Sequence, residues 1–467
     1  MLKKKIIVLG AGLSGLSCAY ELSKSGFEVT VIEKESSVGG LARSFKDGDF
    51  TCDFGPHRFH SEKHNLLNHI FEVLDGKVVE KIRKSEIFLK NRYFAYPLNT
   101  VDVIFKMPVH TLARIFLDYF VTKVRKNLKP ISDDSFEKWV INRFGKKLYE
   151  IFFKEYTEKT WGLPCSEISE DYASQRITLL NLSDVIIKTI FRTKKVPRTY
   201  VSKFFYPEKG GIGAISEAYR EKIIKSGNRV LTSTEVCNIL TEGNRIHSIS
   251  YKNESGEHVE EFSHILSTIP LTDLVSLIKP MPEKKIIQAC SELFFRSIVF
   301  VYLVINRPRL TTNHWIYIPE KKFISNRFSE FKNFNENSSP QKKTIICAEV
   351  TCFYGDRIWN MNDERLADRV TEDLVQMKLI GENEVDRYFL CKLKHAYPIY
   401  DIYYKEHVGV IKDYLNHFDN LYYFGRNALF RYNNMDHSVE MGLTVAEDIV
   451  KEKKTDLRTA TERKWFG

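Results

Sequence analysis

A strand, a glycine loop and a helix stand at the start of this chain and constrain its fold more than anything after them. Lys5 to Leu9 reads as a buried strand, and Gly10-Ala11-Gly12-Leu13-Ser14-Gly15 follows without a spacer. Leu13 to Ser25 then has helical apolar spacing that ends at Gly26, and a second strand, Val29 to Ile32, completes a βαβ unit. In such a unit Gly10 makes the tight turn, Gly12 lets backbone approach a pyrophosphate, and Gly15 allows the helix to lie close on the strand. The helix N-terminus adds partial positive charge at the same place. Glu33, eighteen residues past Gly15, stands where a carboxylate accepts hydrogen bonds from ribose hydroxyls. The unit predicts an α/β fold and a dinucleotide site, flavin or nicotinamide.

A chain of 467 residues exceeds what one core organises and predicts two or three domains. Its eight cysteines are scattered without a CxxC pair, which argues against zinc and against a disulfide framework and suits a reducing compartment. Met1 to Lys5 is basic, but the apolar run behind it ends at Leu9, which is a strand and not a signal peptide. No apolar stretch approaches the roughly 20 residues of a spanning helix. These features predict a cytoplasmic protein with no transmembrane segment. The net charge of +10 comes in short blocks, so a nucleic-acid partner is not expected, while anionic substrates or lipid head groups stay open. Residues 101 to 130 place Val101, Ile104, Phe105, Leu112, Ile115, Phe116, Phe120 and Val124 at helical spacing among lysines and arginines. A helix packed on a neighbouring layer is preferred there over one resting on a membrane.

After Glu33-Lys34 the chain runs through Val38 to Gly39-Gly40 and Leu41-Ala42-Arg43. A second glycine pair so soon after the acidic residue resembles the FAD-binding enzymes related to glutathione reductase, above all the amine oxidase and protoporphyrinogen oxidase branch. Thr234-Glu235-Val236 and His264-Ile265-Leu266-Ser267-Thr268-Ile269-Pro270 fit that resemblance. It implies tightly bound FAD in preference to NAD, held by Gly10, Gly12, Gly15, Glu33, Gly40, Arg43 and the backbone of Val236. It also implies a glutathione-reductase-type, Rossmann-like FAD-binding domain with interleaved mixed α+β and helical substrate domains. The cofactor pieces are expected at residues 1–95, 205–290 and 400–467, a largely helical substrate or lid piece at 96–204, and a mixed, β-rich substrate piece at 291–399.

Further segments, in order, are similar to the UDP-galactopyranose mutase family. They are Asp53 to His60, Tyr93 to Asn99, Tyr156-Thr157-Glu158-Lys159-Thr160-Trp161-Gly162, Gln175-Arg176-Ile177, Phe295-Arg296-Ser297, Tyr397-Pro398, and Gly425-Arg426 with Tyr432 to Asp436. Tyr397 lies twenty-nine residues before Arg426, the mutase spacing, whereas one extra residue separates Trp161 from Arg176. The resemblance implies an intramolecular transferase, an isomerase that interconverts pyranose and furanose forms of a nucleotide sugar for polysaccharide biosynthesis. Reduced FAD would supply its N5 as the nucleophile at the anomeric carbon, with NAD(P)H admitted as external reductant. His57 would shape the flavin N5 environment, Arg426 would lie near the cofactor pyrophosphate, and Met435 would open a helix aimed at the pyrimidine end.

The residue types suit that chemistry. Arginine's planar fork grips phosphate oxygens in pairs, which makes Arg176 and Arg296 the candidate diphosphate clamp. Tyr156, Tyr397 and Tyr432 each offer a phenol donor and a ring face, and Trp161 would wall the sugar pocket. No nucleophile elbow or metal-ligand cluster is visible. His57 and His60, at i and i+3 in a non-helical segment, make poor metal geometry. Two stretches, Ser183 to Phe204 and Ile305 to Gln341, look like insertions, the second rich in Asn, Ser and Lys and loop-like. The competing reading is an FAD oxidoreductase of the protoporphyrinogen or amine oxidase type. A self-associating chain is compatible with either.

Overall fold

The N-terminal glycine loop sits at the end of the central strand of a five-stranded, all-parallel sheet, ordered Leu421–Tyr423, His264–Ser267, Lys5–Leu9, Glu28–Ile32 and Arg229–Leu231. The computed structural model describes residues 4–96, 105–128, 132–176 and 203–453. Lys5–Leu9 pairs with Glu28–Ile32 along one edge and with His264–Ser267 along the other, and its run of Ile, Ile, Val and Leu is buried, as in a parallel sheet covered on both faces. Helix Leu13–Lys24 packs against the long C-terminal helix Met435–Val450, where Gly442 comes so close to Ser14, Ser17 and Cys18 that a Cβ would overlap them. A four-stranded sheet, Glu235–Glu242, Arg245–Asn253, Gly256–Glu261 and Ile278–Lys279, completes this first unit, which comprises Met1–Lys81, Phe204–Phe294 and Tyr404–Arg463.

A second unit comprises Ile82–Lys203, Phe295–Tyr403 and Lys464–Gly467. Its frame is a seven-stranded mixed sheet in the order Val385–Pro398, Phe295–Ile305, Thr344–Cys352, Arg327–Glu330, Trp315–Tyr317, Ser85–Leu89 and Arg92–Ala95. Strand Phe295–Ile305 is buried along all but its first residue. Its alternate residues Val299, Val301, Leu303 and Ile305 pack into one cluster with Leu366, Val370 and Leu374 of helix Asp363–Gln376. Residues 85–95, grouped above with the cofactor pieces, are therefore two strands of this sheet.

The loop expected over Ile305 to Gln341 is a correction. The segment supplies two strands, Trp315–Tyr317 and Arg327–Glu330, and a short helix, Phe331–Phe334, and it buries Trp315, Phe323, Phe331 and Phe334. Its polar letters serve as internal ties. The ammonium of Lys332 donates to the carbonyls of Pro340, Gln341 and Lys343, and the Glu330 carboxylate accepts from Leu310 N, Thr311 N and Thr344 Oγ1. The other insertion-like stretch, Ser183 to Phe204, lies almost wholly outside the described residues.

Candidate functional site

In the first unit the loop from Gly10 to Gly15 is shaped as a cradle. Gly10 has φ +96°, and a Cβ on it would press on Thr268 Oγ1 at 2.6 Å. A Cβ on Gly15 would lie 2.1 Å from the carbonyl oxygen of Gly10, so the helix can approach only because that atom is missing. Gly12 differs: a Cβ there meets nothing within 4 Å. No side chain caps the helix that starts at Leu13. Open space beside the uncapped amide end of a helix suits a pyrophosphate.

Residues that follow strand Glu28–Ile32 line the same place. Gly39 N donates to Ala11 O at 2.7 Å, bringing the second glycine pair beside the first, and a Cβ on Gly40 would lie 3.4 Å from Gly12 Cα. The carboxylate of Glu33 accepts from Ala11 N at 2.8 Å and Glu35 N at 3.0 Å, which fixes it at the end of its strand with lone pairs left for ribose hydroxyls. Arg43 pairs with Glu35 and lies over the ring of Phe54. Val236 is the second residue of strand Glu235–Glu242. Arg426 donates through Nη1 to Asn433 O and stacks over Tyr432 at 4.2 Å. Met435 opens its helix, capped by Asn434 and His437 in a reciprocal box. These residues fit FAD.

His57 lies in a segment secured from both ends. Phe59 exchanges backbone hydrogen bonds with Phe205, and Asp53 accepts from Ser44 Oγ at 2.5 Å, Tyr206 Oη at 2.6 Å and Ile212 N at 3.1 Å. Asp53 opens the segment quoted above, but its part in tying that segment down was not legible there, because its partners are spread over some 160 residues. Burial pushes its carboxyl up to about 6, against the pull of those three donors. An acid raised in the folded state carries stability that is fully present below its unfolded pKa and is lost as pH rises through about 6. Urea unfolding between pH 4 and pH 6 should therefore carry a slope of up to about 1.4 kcal/mol per pH unit from this group. In Asp53→Asn that component should vanish; an unchanged profile would remove Asp53 as its source.

In the second unit, the Tyr156 to Gly162 motif is helix Glu155–Trp161, and Gly162 ends it in a left-handed turn at φ +72°. A Cβ on Gly162 would meet Arg296 Nη1 at 2.6 Å and Phe353 at 2.7 Å. Arg296 is buried, with Nε donating to Thr160 O at 2.9 Å and Nη2 to Lys159 O at 3.4 Å and Thr351 O at 3.3 Å, while its guanidinium lies 4.4 Å over the ring of Phe353. Desolvation brings its pKa down to about 10, which leaves it charged at neutral pH. Across the ladder Arg296 pairs with Tyr397. The Tyr397 ring meets Trp161 edge-on at 5.8 Å, and Trp161 in turn meets Tyr172 at 4.7 Å.

Tyr156, half-buried, contacts Tyr317 edge-on at 5.9 Å. Beside it Arg327 makes a two-pronged pair with Glu349, Nε and Nη2 each 2.8 Å from a carboxylate oxygen. Burial works against the charge on Arg327, and Glu349 with Tyr397, Tyr317 and Tyr156 outweighs it, raising its pKa. Arg327, Glu349 and Tyr317 were not singled out from sequence. A lone Glu within the apolar strand Thr344–Cys352 is the signal that points to a buried partner. Lys159 is another such tie: its ammonium gives its three donors to Ile318 O, Glu320 O and Ser325 O.

The structure thus gathers Tyr156, Trp161, Arg296 and Tyr397 in the second unit, and the glycines, Glu33, Arg43, His57, Val236, Arg426, Tyr432 and Met435 in the first. Arg176 ends helix Glu170–Arg176, and its side chain lies outside the described residues. Among the described residues no cluster of three His, Cys, Asp or Glu side chains could hold a metal. No helix among them is long and apolar enough to cross a membrane.

Parallel sheet, uncapped glycine loop and strand-end carboxylate define a dinucleotide-binding α/β fold. The chain belongs to the flavin containing amine oxidoreductase family, whose model matches residues 13–450. It is similar to a probable UDP-galactopyranose mutase of Klebsiella pneumoniae, 26% identical over 194 residues, which cover 39% of this chain and 48% of that protein. It is similar also to the mitochondrial protoporphyrinogen oxidase of Nicotiana tabacum, 26% identical over 312 residues, 59% of each protein. The match thus spans about half the length of these curated relatives. A crystal structure of reduced UDP-galactopyranose mutase superposes with a TM-score of 0.86 over 99% of this chain and 97% of that one, at 21% identity.

Proposed function

We propose that this protein is a flavin-dependent nucleotide-sugar mutase that interconverts pyranose and furanose forms of a sugar carried on a nucleoside diphosphate. The carrying observation is the second unit's cluster, in which helix Glu155–Trp161 ends on Gly162 against the Arg296 guanidinium, with Trp161 and Tyr397 ring to ring. Phenols, an indole and a buried cation together suit a diphosphate with a base and a sugar attached. When bound, reduced FAD supplies an electron-rich nitrogen for the anomeric carbon. The protein's share is to bind and orient. Arg296 and Arg176 steady the diphosphate as its bond to the sugar breaks and hold it for return; Tyr156 and Tyr397 donate phenol hydrogens to its oxygens; Trp161 closes the sugar pocket. With flavin bound, His57, on its secured segment, would shape the surroundings of the reacting nitrogen, and the first turn of helix Met435–Val450 would favour negative charge on the reduced ring.

Family membership supports a second reading, an FAD oxidoreductase, since the protoporphyrinogen oxidase match covers more of this chain than the mutase match does. Binding and oxygen use separate the two. Titration with UDP should change tryptophan emission saturably in wild type and not in Trp161→Phe, without oxygen uptake beyond slow reoxidation of the flavin. Absence of any UDP binding, with steady oxygen consumption on an amine or a porphyrinogen, would favour the oxidoreductase.

A further inference from the structure

Helix Val109–Leu128 of the second unit has one face that packs and one that does not. On the packed face Ile115 is buried, Leu112 lies against the cluster of Ile87, Leu89, Phe94 and Met107, and Asp118 Oδ2 accepts from Lys147 N at 2.6 Å. The other face is apolar and exposed: Val109 is 82% exposed, Leu117 67% and Phe120 68%, with Phe116, Val121 and Val124 also open to solvent. At 3.6 residues per turn these six fall on one arc of about 140°, which they share with Ala113 and the exposed His110. Arg114 and Arg125 stand along one border of that arc and Lys123 along the other. Asp118, the helix's one acid, is turned to the packed side. Just before the helix, Phe105 is 83% exposed.

We propose that this face docks the protein, in the plane of the interface, on a bilayer containing anionic phospholipid. Large apolar side chains would sit at the boundary between head groups and acyl chains, while the arginine and lysine stems run up either side to place their charges among phosphates. Charge complementarity selects this occupant: the borders are cationic, the exposed face carries no acid, and the chain as a whole is at +10. A second copy of the same face would bring like charges together along both borders. The sequence reading preferred a packed helix here; the structure packs one side of it and leaves the other bare. The docking face contains none of the residues assigned to cofactor or substrate.

The test is sedimentation of the full-length, flavin-loaded protein with vesicles of phosphatidylcholine alone or mixed with phosphatidylglycerol. Partitioning onto the mixed vesicles is expected to exceed that onto the neutral ones and to weaken with salt. Leu117→Glu with Phe120→Glu should lower it by about tenfold or more. Val259→Glu, a comparably exposed position on strand Gly256–Glu261, should leave it unchanged. Neutralising Arg114, Lys123 and Arg125 to glutamine should abolish the preference for anionic lipid while the melting curve stays that of wild type. Equal pelleting with both vesicle types, or binding untouched by the Leu117 and Phe120 changes, overturns the proposal. So does concentration-dependent self-association that the same double variant removes, without vesicle binding, because the occupant is then a second copy.

Discussion

Arg296→Ala should both destabilise the protein and stop turnover, the largest effect expected of any single change in the second unit. The guanidinium is buried and carries hydrogen bonds to the carbonyls of Lys159, Thr160 and Thr351. Truncation leaves those acceptors without their donor where water does not easily replace it, at a cost of about 3 to 5 kcal/mol. The carbonyls of Lys159 and Thr160 belong to the helix that positions Trp161, so turnover should fall by about a hundredfold or more even in the folded fraction. Arg296→Lys keeps the charge but loses the fork, and should fall between the two. Urea unfolding and steady-state kinetics on the three proteins check this. Wild-type stability in Arg296→Ala, with turnover within twofold, would remove Arg296 from the site.

The glycine loop yields the other large effect, and it separates folding from cofactor binding. Gly15→Ala puts a methyl 2.1 Å from the Gly10 carbonyl oxygen, a backbone atom that cannot step aside without moving the strand. That variant should purify poorly and without flavin. Gly12→Ala meets no atom within 4 Å, and Gly12 sits at φ −75° and ψ 174°, which any residue adopts. Its apoprotein should melt as wild type does, yet its affinity for FAD should drop at least tenfold, about 1.4 kcal/mol, because the methyl occupies the space through which a pyrophosphate reaches the helix amides. Thermal melts of the apoproteins and flavin titration read the two effects. Undiminished flavin affinity in Gly12→Ala would place the pyrophosphate elsewhere.

What the letters revealed was what is local. The βαβ start and the helix beginning at Met435 each rest on residues close together in the chain, so spacing alone exposes them. The ties that build the second unit are not local. Arg327 and Glu349 meet because their strands pair in that register, and Lys159 finds its carbonyls some 160 residues away. Composition misled at Ile305 to Gln341 for a related reason: Lys332 and Glu330 look like solvated residues in the sequence, yet each saturates buried backbone or hydroxyl groups. The amphipathic pattern around Phe116 and Phe120 was plain, but periodicity cannot tell which arc of a helix finds a neighbour.

We propose that this flavoprotein rearranges a sugar ring without net oxidation. The most direct test is to incubate the protein anaerobically with UDP-galactopyranose or UDP-galactofuranose, flavin reduced chemically in one sample and oxidised in the other, and to separate the two ring forms by chromatography. Interconversion in the reduced sample alone, with the flavin still reduced at the end, is the expected result. A sugar that keeps its ring size under both conditions, or a flavin that ends reduced in the initially oxidised sample as the substrate loses electrons, would contradict it.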